Sequence, residues 1–163
     1  MKLPKVHQVP TLPFTDEEID RLLDACDRFR GNGARLRAMI LLLRHSGLRV
    51  GDAVGLRQHR IADGTLFLYT QKTGTPVRIP LPAHVSEALA ALPEGDFFFW
   101  SGRGHLKSAI EDCRRSFKAV AELAKVHKAH FHRLRDSFAV GLEKACRSRA
   151  CRCCLATRTS RSR

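Results

Sequence analysis

The sequence predicts an α+β domain that is mainly α-helical and carries one small antiparallel β-sheet. Apolar residues recur every three or four positions along most of the 163-residue chain, which is the spacing of amphipathic helices. Near the middle the spacing changes to two, as in half-buried strands, on both sides of a segment rich in turn residues. The length suits one domain with its own core.

Three helices are predicted in the first third of the chain. Thr15 and Glu18 have the spacing of a capping box and begin the first helix, and the glycines of Gly31–Gly33 end it. A second helix is predicted over Ala34–Ser46 and a short third one over about Val50–Leu56. The second is the most apolar of the three, so we expect it to lie in the core.

A β-hairpin is predicted next. Its strands are Leu66–Tyr69 and Val77–Leu81, and the turn between them contains Thr73–Pro76. A short helix follows and ends near Ala91, and Phe97–Trp100 is predicted to be a buried apolar run rather than a base-stacking surface.

Two longer helices are predicted in the last third, over about Leu106–Val126 and about His132–Lys144. The apolar face of the first is predicted to include Val120 and Leu123, and Leu134, Phe138 and Leu142 are predicted to face inward on the second. His105, His127 and His130 are predicted to be surface residues.

The chain is strongly basic. It has 29 Lys and Arg against 16 Asp and Glu, which gives a net charge of +13, and seven of the basic residues fall within the last 20 positions. This balance favours a polyanionic partner, with nucleic acid first.

No apolar stretch approaches the ~20 residues that cross a bilayer, and the first residues have no apolar signal region. These features favour a soluble cytoplasmic protein with no membrane partner.

Four residues that suit phosphate chemistry occur in an informative order. Arg49 follows the buried second helix, Lys72 lies at the hairpin tip, and His132 and Arg135 are three residues apart at the start of the last helix. Each taken singly is also typical of a solvated surface. Their order and spacing together indicate a common site.

These segments resemble the motifs of the tyrosine recombinase (phage integrase) family over about residues 13–145. The Gly47–Arg49 box with Asp52 resembles the family's first arginine box, and Lys72 precedes a strand that ends in Pro80–Pro82. The second box resembles the family's "HxLRxTFA" helix, matched by His132, Leu134, Arg135, Ser137, Phe138 and Ala139. Phe131 and Asp136 depart from the family, which often has proline and histidine there.

The resemblance implies a helical tyrosine-recombinase catalytic core that cleaves and rejoins DNA through a 3′-phosphotyrosine. It implies that Arg49 and Arg135 clamp the scissile phosphate, because guanidinium forks suit the charge of a pentacoordinate transition state. Lys72 is then the general acid, His132 a further phosphate or proton contact, and Asp52 a supporting carboxylate. Double-stranded DNA and other recombinase protomers are the implied partners. No cofactor, metal or small-molecule substrate is expected.

The resemblance divides the chain into three parts. Residues 1–13 are interpreted as a linker remnant, 14–145 as an incomplete catalytic domain, and 146–163 as a basic Cys- and Arg-rich tail. The family continues with a histidine motif and then its tyrosine nucleophile, neither of which appears here. Tyr69, the only tyrosine, comes far too early and is predicted to be a packing residue.

The tail has the composition of a segment translated out of frame. If its codons are read one base earlier, every Cys codon becomes Leu, Met or Val, and one permitted codon choice yields GVPLEGVSVLLGHQNIKIT, which contains the family's histidine motif. A zinc site formed by Cys146, Cys151, Cys153 and Cys154 is an alternative, although adjacent cysteines lack the usual ligand spacing. A basic arm that contacts phosphates is another.

Three functions remain open from the sequence. The chain is a recombinase domain that binds the scissile phosphate but is inactive alone without its nucleophile. Alternatively it is a DNA-binding module that modulates an intact recombinase. The third possibility is a non-functional remnant.

Overall fold

The computed structural model describes residues 12–69 and 74–148, with side chains up to Glu143. This part of the chain forms helices around a small antiparallel sheet, which confirms the predicted fold class. The α-helices are α1 (Asp16–Arg28), α2 (Gly33–Ser46), α3 (Val50–Val54), α4 (Ala83–Ala90), α5 (Leu106–Leu123) and α6 (Phe131–Ser148); a 3₁₀ turn spans Gln58–Arg60, and the strands are β1 (Ile61–Ala62), β2 (Thr65–Tyr69) and β3 (Pro76–Pro80).

Helix α1 begins as its sequence predicts. The Thr15 hydroxyl accepts a hydrogen bond from the Glu18 N–H at 3.2 Å, and the Glu18 carboxylate accepts one from the Thr15 N–H at 3.0 Å. This reciprocal capping satisfies two backbone donors that a helix start otherwise leaves unpaired. The buried face of α1 packs against α2.

Helix α2 is the centre of the core. All six residues of Ala38–Leu43 are buried, so the helix is apolar around its whole circumference there, as expected for a helix with neighbours on every side. It contacts α1, α4 and α6. Gly47 ends α2 in the left-handed conformation (φ 62°), and its N–H donates to the Leu43 carbonyl at 3.0 Å.

The sheet is a β2–β3 hairpin with one short strand added. Leu66 pairs with Ile79 and Leu68 with Val77, and both leucines are buried. Strand β1 pairs with β2 on the other side. Its two residues are too few to produce a periodic signal, so the sequence did not predict it. Lys72, which lies between β2 and β3, is outside the described residues.

Three side chains predicted to face inward are instead exposed. Leu123 is 53% exposed, Tyr69 58% and Leu142 50%. For Leu123 the reason is that α5 ends there rather than at Val126. The Val126 N–H bonds to the Ala121 carbonyl, and Lys125 adopts a positive φ of 54°, which is a Schellman ending.

Tyr69 points to the outer face of the hairpin, where its ring meets that of Phe67 edge-on at 5.4 Å. Its interpretation as a packing residue was therefore wrong. The Phe97–Trp100 run is buried only at its two central residues, Phe98 and Phe99. Among the described helices, none has the length and apolar character needed to span a membrane.

Candidate functional site

The turn between α2 and α3 directs Arg49 outward. A Cβ on Gly47 would lie 2.3 Å from the Phe138 ring of α6, so both the left-handed φ and the close approach require glycine. Leu48 is buried and anchors the turn, and Arg49 is exposed as the N-cap residue of α3. In the Gly-Leu-Arg sequence, the glycine therefore allows close packing against α6, and the arginine two residues later is exposed to solvent.

The first turn of α6 is anchored on one side and open on the other. Phe131 stacks on Phe117 of α5 with ring centroids 4.3 Å apart, and Leu134 is fully buried. His132 and Arg135 lie on the open side, where the His132 side chain is 67% exposed. The phenylalanine that departs from the family's usual proline therefore has a structural role in this chain.

Arg49, His132 and Arg135 line one cavity of about 480 Å³. Arg114 and Lys118 of α5 face the same cavity, as does His130. Among the described residues that line it, none is a carboxylate. Four permanent positive charges and two imidazoles around one concave surface create a strongly positive potential that attracts an anion.

Two of these cavity residues have acidic neighbours. Arg114 forms an ion pair with Glu111 one turn earlier on α5, and His132 lies 3.7 Å from Asp136. The Arg114 pair is exposed and one turn apart, which makes it weak and easily exchanged for a phosphate.

His130 is half-buried and lines this cavity, a placement that its sequence context did not indicate. Burial, followed by the charges of Arg133 and His132, lowers the pKa of His130 below its ordinary value. It is therefore mainly neutral near pH 7 in the free protein, and an anion in the cavity would favour its protonated form.

A second cavity, of about 600 Å³, shares two arginines with the first. Arg49 and Arg135 line it together with Asp52, which is buried in the first turn of α3. Thr75 and Val77 of the hairpin also line it. The hairpin arm that follows Lys72 therefore borders the site, although the position of Lys72 itself lies outside the described residues.

Arg133 supports the site from behind, and sequence reasoning did not single it out. Its side chain is only 10% exposed and pairs with the Glu18 carboxylate at 2.8 Å. It also donates to the carbonyls of Leu12 (2.8 Å), His127 (3.1 Å) and Pro13 (3.3 Å). In the sequence it sits unremarkably between His132 and Arg135, and only its distant partners reveal that it is buried.

Through Arg133 the described end of the predicted linker docks onto α6. The guanidinium lies over the Phe14 ring at 4.0 Å, and the Phe14 N–H donates to the Ser137 hydroxyl at 2.8 Å. The residues that lead into α1 are therefore fixed to the same helix turn that presents His132 and Arg135.

The fold and the cavity define a class of protein: a helical domain in which arginines from distant chain segments line one cavity that carries an excess of positive charge. The model of the phage integrase family matches residues 13–146. The chain belongs to the phage integrase family, and the resemblance seen in its sequence motifs is confirmed.

Solved structures show the same fold. The chain is similar to XerA recombinase (18% identity, TM-score 0.67), with 88% of this chain and 54% of that one aligned. It is also similar to DNA-bound lambda integrase residues 75–356 (24% identity, TM-score 0.65), with 85% of this chain and 53% of that one aligned. A third similar structure is the lambda integrase catalytic core (23% identity, TM-score 0.67), with 83% of this chain and 85% of that one aligned. The chain thus spans about half the length of the first two and most of the third. A comparison with curated protein sequences gives no match.

Proposed function

We propose that this chain is the phosphate-binding catalytic domain of a site-specific DNA recombinase, and that duplex DNA is its ligand. One observation carries the proposal. Arg49, His132 and Arg135, which family resemblance assigns to the scissile phosphate, line one cavity whose described lining carries four permanent cations and no carboxylate. The cavity suits an anion, and the anion on which the family acts is a DNA phosphodiester.

The proposed chemistry follows from the residue types. Arg49 and Arg135 hold the non-bridging oxygens with permanently charged forks and oppose the extra negative charge of the transition state. His132 donates to the same group. Lys72 protonates the leaving 5′-oxygen from the hairpin, and the buried Asp52 braces the first turn of α3 behind Arg49.

The two cations of α5 extend this surface. Arg114 and Lys118 are exposed and are four residues apart, so they share one face of the helix. We assign them to a neighbouring phosphate of the same duplex, because successive phosphates along one strand are several ångströms apart. These contacts would increase the affinity for DNA without contributing to recognition of the base sequence.

Among the structural neighbours, lambda integrase is described as a dimer bound to a core site and as a tetramer bound to a Holliday junction. We propose that other recombinase protomers are partners of this chain too.

In this proposal the chain alone does not form a covalent DNA adduct. Its single tyrosine, Tyr69, lies in β2 on the outer face of the hairpin. The proposed out-of-frame tail, 146–163, and the alternative zinc site with it, lie outside the residues whose side chains are described. The codons of 145–163 test the frame directly: if they lack the reading GVPLEGVSVLLGHQNIKIT, the frameshift hypothesis is wrong.

A second function is favoured by the same observation. A domain with a phosphate site but no nucleophile in the expected place can occupy recombination sites and modulate an intact recombinase. The two functions separate in a reaction that also contains an active recombinase. A modulator changes the yield of that recombinase, whereas an inactive bystander leaves it unchanged.

DNA binding is tested by the salt dependence of affinity for a duplex. We expect weak binding, with a Kd of about 10⁻⁴–10⁻⁶ M at physiological salt for non-specific duplex. Arg49→Ala and Arg135→Ala should each reduce the slope of log K against log salt by about 1.

Arg115→Ala is the matched control, because Arg115 adjoins Arg114 in the chain but does not line the cavity. Equal decreases in the salt slope for Arg49→Ala, Arg135→Ala and Arg115→Ala would indicate diffuse charge attraction. The proposal of a phosphate site in this cavity would then be wrong.

A nicked suicide substrate tests the chemistry. The chain alone should yield no protein–DNA adduct, because no tyrosine is expected beside the cavity. An adduct in the wild type that disappears in Tyr69→Phe would show that the missing-nucleophile hypothesis is wrong while leaving the phosphate site intact.

A further inference from the structure

Two histidines meet where the end of α2 packs against the start of α4. His45 is the penultimate residue of α2, and His84 is the second residue of α4. Their Nε2 atoms are 3.2 Å apart and their rings are inclined by 75°, with centroids 4.9 Å apart. Neither residue borders the two cavities described above, so this pair is separate from the proposed phosphate site.

The separation of the two nitrogens suits a shared metal ion. Zn–N bonds are about 2.0–2.1 Å long, and two such bonds whose nitrogens are 3.2 Å apart enclose an angle of about 103°, close to tetrahedral. The ring centroids are only 4.9 Å apart, less than a head-on arrangement of the two nitrogens would give, so the rings bend toward each other and their lone pairs can meet beside the nitrogen–nitrogen line. No adjustment of α2 against α4 is needed to bring the ligands together.

The surroundings leave the pair accessible. His84 is exposed and His45 is half-buried, so an ion can reach both nitrogens from solvent. The neighbouring Arg44 forms an ion pair with Asp16 of α1, which partly neutralises its charge. Within the part of the chain that the structure describes, no group of three or more His, Cys, Asp or Glu is placed to hold a metal ion.

We propose that His45 and His84 form a two-histidine site for a borderline divalent transition-metal ion such as Zn²⁺. Two imidazoles supply the protein ligands and water fills the remaining positions. Both rings then carry their proton on Nδ1. Imidazole suits zinc, copper and nickel and does not suit the oxygen-seeking Mg²⁺, so the site selects by ligand type.

Such an ion would tie two helices together beside the phosphate site. His45 is four residues before Arg49, and Gly47 lies between them. An ion held by both helices therefore fixes the end of α2 that leads into Arg49. Because it binds the folded chain and not the unfolded one, the ion raises the melting temperature by mass action.

The test is thermal unfolding of the full chain with any purification tag removed. Cys146, Cys151, Cys153 and Cys154 are all replaced by serine so that tail thiolates do not contribute. At about a hundredfold excess over Kd, Zn²⁺ should raise Tm by about 5 °C or more, whereas Mg²⁺ should not. Isothermal titration should give one ion per chain.

His84→Ala and His45→Gln should each abolish the Zn²⁺-dependent shift. His84 is exposed at a helix start, so its replacement leaves the fold intact even if the His45 variant unfolds. His59→Ala, at an exposed histidine of the 3₁₀ turn, is the matched control and should keep the full shift. The proposal is overturned if the four-serine chain shows no shift, or if the shift survives in His84→Ala. Either result would leave the pair as a simple hydrogen bond.

Discussion

Arg133→Met is the substitution that most directly tests how the first turn of α6 is held. Methionine keeps much of the aliphatic volume but removes every donor of the guanidinium. The Glu18 carboxylate, which is 19% exposed, then loses its partner, and the carbonyls of Leu12, Pro13 and His127 lose theirs. The change therefore leaves a largely buried negative charge uncompensated.

The expected cost can be estimated from these contacts. Removing one partner of a buried ion pair costs about 3–5 kcal/mol. Glu18 still accepts from the Thr15 N–H and keeps some water contact, so we place the ion-pair loss near the lower end. The lost cation–π contact with Phe14 adds about 0.5–1 kcal/mol. A total of about 3–4 kcal/mol corresponds to a fall in Tm of about 6–16 °C.

The assay is urea and thermal unfolding of the wild type, Arg133→Met, Glu18→Gln and the double variant. The double variant should be more stable than Arg133→Met alone, because it leaves no unpaired charge. Arg115→Met, an exposed arginine on α5, should change stability by less than about 0.5 kcal/mol. A loss below about 1 kcal/mol in Arg133→Met, or no recovery in the double variant, would refute this account.

Three further predictions concern the same region. Gly47→Ala should destabilise the domain by about 2–4 kcal/mol in urea unfolding, because its φ is positive and the Phe138 ring occupies the Cβ position; a loss under about 1 kcal/mol would contradict the close approach. Leu134→Ala should cost about 2–5 kcal/mol by the same assay, because the side chain is fully buried; a near-neutral result would mean that the α6 start is not anchored in the core. The pKa of His130 is lowered on folding, so its contribution to stability is present above the unfolded value of 6.5 and is lost as pH falls through the lower folded pKa. His130→Gln should therefore flatten the decline of Tm below about pH 6.5, and an unchanged slope would show that His130 is not the group responsible.

Much of the fold could be predicted from local pattern. The capping box at Thr15, the apolar spacing of α2 and the hairpin strands each depend on neighbouring residues, so the sequence carries them directly. The errors fall where a local pattern competes with a distant contact or with a backbone ending. Leu123 fits the apolar stripe of α5 but lies at its Schellman ending, and β1 is too short to show any period.

The residues in and around the site also fall into those that a local pattern reveals and those that only distant contacts reveal. Arg49, His132 and Arg135 could be singled out because their motifs are local and occur in a recognisable order. His130 and Arg133 could not, because an imidazole or guanidinium next to such a motif looks the same whether it faces solvent or the core. Only their partners on other elements, Glu18 and Phe14 for Arg133 and the cavity wall for His130, distinguish the two cases.

The sequence by itself determined the class of fold, the family motifs and the basic character of this protein, because periodicity, turn chemistry and charge are properties of short segments. Only the tertiary structure brought Arg114 and Lys118 of α5 to the cavity that Arg49, His132 and Arg135 line. It also placed His45 beside His84. The physical reason is that such convergence depends on how α2, α4, α5 and α6 pack, and packing angles are set by side chains far apart in the chain.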